Sequence, residues 1–185
     1  MMLISKQQAV LKKNVLLLAV MGLFFAQSAS SAQTKGTLMK SNEMTLWQLS
    51  DAISRTMPTS KNSIESLLGI VLKEERNAPF VLLTSKPAIK LADSVVVDKV
   101  SLFIRPSMVF DEKSAFSLEL SEACIPLTAV REHYGQLTLT QHPRGRSLEE
   151  TTVYTVNQSW GSLAFAFKER QPECLFSLTF RTSKL

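Results

Sequence analysis

Cys174-Leu175-Phe176-Ser177-Leu178-Thr179-Phe180-Arg181 alternates between two kinds of side chain. A strand turns successive side chains to opposite faces, so this spacing predicts a half-buried β-strand. Cys174, Phe176, Leu178 and Phe180 fall on one face, and Leu175, Ser177, Thr179 and Arg181 on the other. The first set is the side a helix should cover. Such a helix precedes it: Pro126 suits a first helical position, Leu127, Val130 and Tyr134 share an apolar face, and Gly135 is placed to end the helix. Cys124 stands at its entrance, so a bond from Cys124 to Cys174 would fasten helix 126–135 to the closing strand.

The same reading extends outward. Leu46, Leu49 and Ile53 recur at helical spacing over 45–55 until Pro58. Asn62 with Glu65 marks a second helix start, followed by an apolar stripe of Ile64, Leu67, Leu68, Val71 and Leu72, with Glu74, Glu75 and Arg76 as its solvated end. Strands are expected around 80–84, over 95–104, which Pro106 ends, and at Phe116, Leu118 and Leu120. Beyond the helix at 126–135, Leu137 and Leu139 alternate with threonines. Thr151 to Asn157 is rich in β-branched residues, Ser159-Trp160-Gly161 makes a turn, and Leu163, Phe165 and Phe167 alternate with alanines. Two successive units, about 45–121 and 122–185, each a helix followed by about three antiparallel strands, predict an α+β fold. Its helices would pack on one face of an antiparallel sheet.

Residues 1–32 place Lys6, Lys12 and Lys13 before the apolar run Val15 to Ala26 and a small-residue stretch ending Ser30-Ser31-Ala32. This is the order of a cleavable export signal. The run is shorter than the roughly 20 residues a membrane-spanning helix needs, so a retained anchor is the weaker reading and no stable membrane insertion is expected after the signal is removed. Residues 33–44 read as a flexible leader, and 45–185 as one domain. Removing the signal takes 3 of the 21 basic residues and none of the 16 acids, which leaves 18 against 16, a net charge of +2. The remaining basic residues are scattered among acids, which argues against a nucleic-acid partner. Export to an oxidising periplasm also makes the two cysteines of the chain a natural disulfide, the alternative being two buried thiols.

The segment Thr59-Ser60-Lys61-Asn62-Ser63-Ile64-Glu65-Ser66-Leu67-Leu68-Gly69 resembles the opening helix of small bacterial envelope domains of the outer-membrane assembly lipoprotein type and of the β-lactamase inhibitor proteins. Those folds repeat a helix and three-strand unit, and Ile125 to Tyr134 with its following strands would be the second copy. The resemblance implies a protein-binding module, and exported immunity proteins fit the same profile. The chain departs from the assembly lipoproteins in having no lipid-bearing cysteine near the cleavage zone.

Chemistry has few footholds. The histidines are His133 and His142, and no His-x-x-x-His, Cys-x-x-Cys or Gly-x-Ser-x-Gly motif occurs, so no metal, cofactor or catalytic residue is assigned. His133 reads as a surface residue near a helix C-terminus, and Trp47 as packing. Phe110 lies in the polar stretch 105–114. The most unusual segment is Gln141-His142-Pro143-Arg144-Gly145-Arg146-Ser147, followed by Glu149 and Glu150. Its arginines either pair with those glutamates in a polar connection or present bidentate donors to a partner's carboxylates. On the second reading Arg144, Arg146 and His142 bind a partner, with Tyr154 and Trp160 on the next hairpin as aromatic anchors. The function expected is a non-enzymatic periplasmic protein-binding module, an inhibitor or immunity protein acting on a toxin or an envelope enzyme. An envelope assembly or maintenance factor and a small cell-envelope hydrolase are the competing readings.

Overall fold

The computed structural model of the chain describes residues 40–77, 80–104 and 114–182. The expected export signal and residues 33–39 lie outside them, as does Phe110. Residues 41–44, expected as part of a flexible leader, are instead built into the fold. Ser41–Glu43 forms a single 3-10 turn, the Ser41 hydroxyl donates to the Leu68 carbonyl at 3.3 Å, and Met44 is buried.

Helix α1, Leu46–Arg55, begins where the Thr45 side chain accepts from the Gln48 N–H and the Gln48 side chain reaches back to the Thr45 N–H, a reciprocal cap. The Asp93 carboxylate takes the Leu46 N–H at 2.8 Å, another donor the helix cannot satisfy itself. Leu46, Leu49, Ser50 and Ile53 form its buried face. Helix α2, Lys61–Leu68, is capped by Ser60 rather than Asn62, and Gly69 ends it at φ 67°, left-handed backbone that suits glycine. The stripe expected to run on to Leu72 therefore breaks. Val71 is 71% exposed, and Glu65 turns its carboxylate to the Leu72 N–H at 2.7 Å.

The strands are β1 Lys73–Asn77, β2 Phe80–Ser85, β3 Ile89–Lys90, β4 Val96–Ile104 and β5 Ser114–Ser121. After helix α3, Leu127–Tyr134, come β6 Thr138–Gln141, β7 Thr151–Gln158, β8 Gly161–Lys168 and β9 Leu175–Thr182. They form one 9-stranded sheet in the order β1-β2-β4-β5-β9-β8-β7-β6, with β3 paired to β4, and every pairing is antiparallel.

This corrects the expected α+β arrangement of two helix-plus-strand units with helices layered on one sheet face. Among the described residues the chain is mainly antiparallel sheet, and the three α-helices are short, at 10, 8 and 8 residues. Two local causes are visible. The charged run Glu74, Glu75 and Arg76, expected as a helix end, lies in strand β1. Helix α2 stops at Gly69, so the stretch expected to continue it to Leu72 is not helical.

Register explains the core. Leu83, Leu102, Phe116, Phe180, Leu163 and Val156 stand side by side across six strands, and Val100, Leu118, Leu178, Phe165 and Tyr154 make the next row. The buried faces of α1, α2 and α3 join these rows in one hydrophobic cluster. On the other face Thr84, Ser101, Ser117, Thr179, Ala164 and Thr155 form a row of small side chains.

The closing strand departs from simple alternation. A register shift where Ala166 faces Ser177 and Phe167 faces Leu175 inserts one extra residue, Phe176, into β9. Leu175 is consequently buried with Leu178 and Phe180, whereas Phe176 is half exposed beneath the Lys168 ammonium, 3.7 Å from its ring centroid. The face expected for Phe176 and Leu175 is thus reversed. The expected disulfide is present: Cys124 and Cys174 are bonded, their Cα atoms 4.7 Å apart across a separation of 50 residues. Beside it the Leu175 N–H donates to the Ile125 carbonyl at 2.9 Å, so the lead-in to α3 is fixed to the start of β9 twice.

Candidate functional site

The connection between β6 and β7, residues 142–150, is organised by its own glutamates. Glu150 turns one carboxylate oxygen inward, where it accepts the backbone N–H of Arg144 at 2.5 Å and of Gly145 at 3.0 Å. Gly145 has φ 77°, which lets two successive N–H groups converge on one oxygen. Backbone bonds from Glu169 to the Glu150 carbonyl and from Arg170 to the Leu148 carbonyl, at 2.9 and 3.0 Å, tie the loop to the chain leaving β8. Glu149 forms ion pairs with Lys168, at 2.8 Å, and with Arg170.

Both glutamates that could have neutralised the loop's arginines are therefore otherwise engaged. Arg144 and Arg146 are exposed, and no ion pair or hydrogen bond of either guanidinium is found among the described residues. Together with Thr140, Gln141, His142, Pro143 and Glu150 they line an open groove of about 560 Å³. The groove is polar, and its free donors are planar groups suited to carboxylates.

The remaining expected site residues separate. Tyr154 lies half-buried on β7, its ring edge-on to Phe167 at 6.0 Å and 5.7 Å from the Arg131 guanidinium. Trp160 stacks on Phe180 at 6.0 Å, beyond the far end of β7. The 8 residues of β7 put roughly 25 Å of strand between Trp160 and the arginine loop. The structure brings His142, Arg144 and Arg146 together, leaves Tyr154 on the adjoining strand, and places Trp160 elsewhere.

A second cluster joins α1 to α3. Trp47 and His133 stack with centroids 5.0 Å apart, and His133 Nε2 lies 3.5 Å from an Asp51 oxygen. The Tyr134 hydroxyl donates to Ser50 at 2.6 Å, and its ring packs on Phe165 at 5.0 Å. Burial pushes the Tyr134 phenol up to about 12, the Ser50 hydrogen bond opposes that rise, and the nearby Asp51 charge adds to it. Ser50 is fully buried and its hydroxyl faces Tyr134, so it is not lined up with His133 and Asp51 as a nucleophile relay. This cluster clamps two helices.

Beside the disulfide a cleft of about 230 Å³ is lined in part by Lys168 and Arg170, whose charges already meet Glu149. Among the described residues no group of His, Cys, Asp and Glu gathers as a metal-binding set. No protein-family model, curated protein or solved structure matches the chain.

Proposed function

We propose that the chain is an exported, non-enzymatic module that binds another protein through the loop 142–150, as an inhibitor or immunity factor that neutralises its partner. The observation that carries this reading is the pair of exposed guanidiniums, Arg144 and Arg146, left without a carboxylate among the described residues while Glu149 and Glu150 hold the loop in shape. A loop already fixed by its own backbone contacts loses little freedom on binding, and its unpaired arginines add charge-assisted bonds to a partner's acids. The disulfide suits an oxidising compartment, and among the described residues no helix is long and apolar enough to cross a membrane.

The test begins with the protein purified from its host, the species that comes with it identified and its affinity measured. Arg144→Ala combined with Arg146→Ala should weaken that affinity by about tenfold to a hundredfold, with the melting temperature unchanged because both side chains are exposed and unpaired. Unaltered affinity in the double variant would reject the loop as the contact. Co-purification of resident envelope-building machinery in place of a single stoichiometric partner would reject the neutralising role.

A further inference from the structure

β6 continues the recognition loop and is an edge of the sheet. Among the described residues its backbone pairs only with β7, so one side of Thr138–Gln141 presents free N–H and C=O groups. The other edge, β1, carries Lys73, Glu74 and Glu75, charges that discourage strand addition. β6 reads Thr-Leu-Thr-Gln, without a charge, and all four residues are exposed.

Its irregularity is held in place. Thr140 occupies a register shift, and its hydroxyl lies 2.8 Å from the Thr155 hydroxyl and 3.3 Å from the Val153 carbonyl, so the bulge is stitched to β7. The buried apolar row that passes through Phe165 and Tyr154 ends at this rim on Leu139, which is 52% exposed. Arg131 lies over Tyr154 in the same row, and the arginine groove starts from Thr140 and Gln141 at the strand's end. An apolar contact, an open backbone edge and a set of unpaired cations therefore follow one another along a single line.

We propose that β6 receives an extended, acidic segment of the partner protein as an added strand, with an apolar side chain over Leu139 and carboxylates on Arg144 and Arg146. Strand addition takes affinity from backbone bonds and selectivity from alternate side chains, which is the division seen here between β6 and its loop. Charge selects the occupant: β6 of a second copy would bring Thr-Leu-Thr-Gln and no carboxylate for the arginines. The inference rests on the loop being the partner contact.

Synthetic peptides of about eight residues, the usual scale of a strand, test it on the intact protein. One alternates valine with glutamate. A second replaces the glutamates with lysines, and two more carry N-methyl groups on the odd or the even backbone nitrogens of the first. The valine–glutamate peptide should bind and slow amide exchange within 138–141, one N-methylated form should bind about tenfold more weakly or worse, and the lysine peptide should not bind. Equal binding of both N-methylated forms, with Arg144→Ala, Arg146→Ala still weakening it, would overturn strand addition while the loop reading stands. Full-strength binding to the double variant would overturn the loop reading and the inference with it. Failure of the valine–glutamate peptide to bind, or protection of 138–141 by self-association without peptide, would overturn the inference alone.

Discussion

The two edges of the sheet meet solvent in opposite ways. β1 presents Lys73, Glu74 and Glu75, and the Thr84 hydroxyl on its neighbour donates to Glu75 at 2.6 Å. β6 presents two threonines, a leucine and a glutamine, and its charges stand just beyond it on Arg144 and Arg146. A charged edge repels any added strand, whereas an uncharged edge with cations at one end admits a strand of one kind. The difference leaves β1 a charged edge and β6 the edge on which the proposed strand addition depends.

That contrast requires the middle of the sheet, and neither edge, to carry the stability. Phe180 on β9 faces Phe116 on β5 with centroids 5.8 Å apart, and both are fully buried. Phe180→Ala should cost about 3–5 kcal/mol in urea unfolding. A loss under 1 kcal/mol would show that the central pair is not the anchor. Cys124→Ser with Cys174→Ser should cost about 2–4 kcal/mol by the same measurement, because the bond closes a loop of 50 residues.

The smaller effects lie nearer the rims. On the β1 side, Gly69→Ala should cost about 1 kcal/mol from backbone strain alone, since a methyl group there meets nothing within 4 Å but φ is 67°. Tyr134 gives a pH signature where α1 and α3 meet. Its phenol holds its proton more tightly when folded, so stability is complete below the unfolded value near 10 and falls as pH rises from there through about 12. Tyr134→Phe should remove that alkaline decline, and a decline of the same size in the variant would contradict the assignment. At the β6 rim, Leu139→Thr should change stability by no more than about 0.5 kcal/mol. A larger loss would mean that β6 is part of the structural core and not an open edge.

Much of this was legible as alternation. Phe116, Leu118 and Leu120 on β5 and Leu163, Phe165 and Phe167 on β8 are buried as their spacing predicts, because an inner strand's neighbours fix its two faces. Alternation misled at β9, where one inserted residue turns Leu175 inward and Phe176 outward, and nothing local announces such a shift. β1 was hidden because a charge-rich run follows a helix as easily as it forms an edge strand. The expected α+β weighting failed for a related reason: α2 ends at Gly69 and the charged run after it is strand, so among the described residues short helices stand against nine strands.

The site was legible in its loop and not in its surroundings. Arg144 and Arg146 stood out by composition, but their freedom depends on Glu150 turning to the loop backbone and Glu149 pairing with Lys168 and Arg170. Trp160 is close to the loop in sequence order and a strand's length away in space. The contacts of Trp47 and Asp51 with His133 accompany a Tyr134–Ser50 bond that spans 84 residues, beyond the reach of local spacing.

Amide hydrogen exchange on the protein with and without its co-purified partner compares the two edges in one measurement. Exchange should slow across 138–147 and stay unchanged across 73–77. Protection at 73–77 with 138–147 unaffected would contradict this contrast.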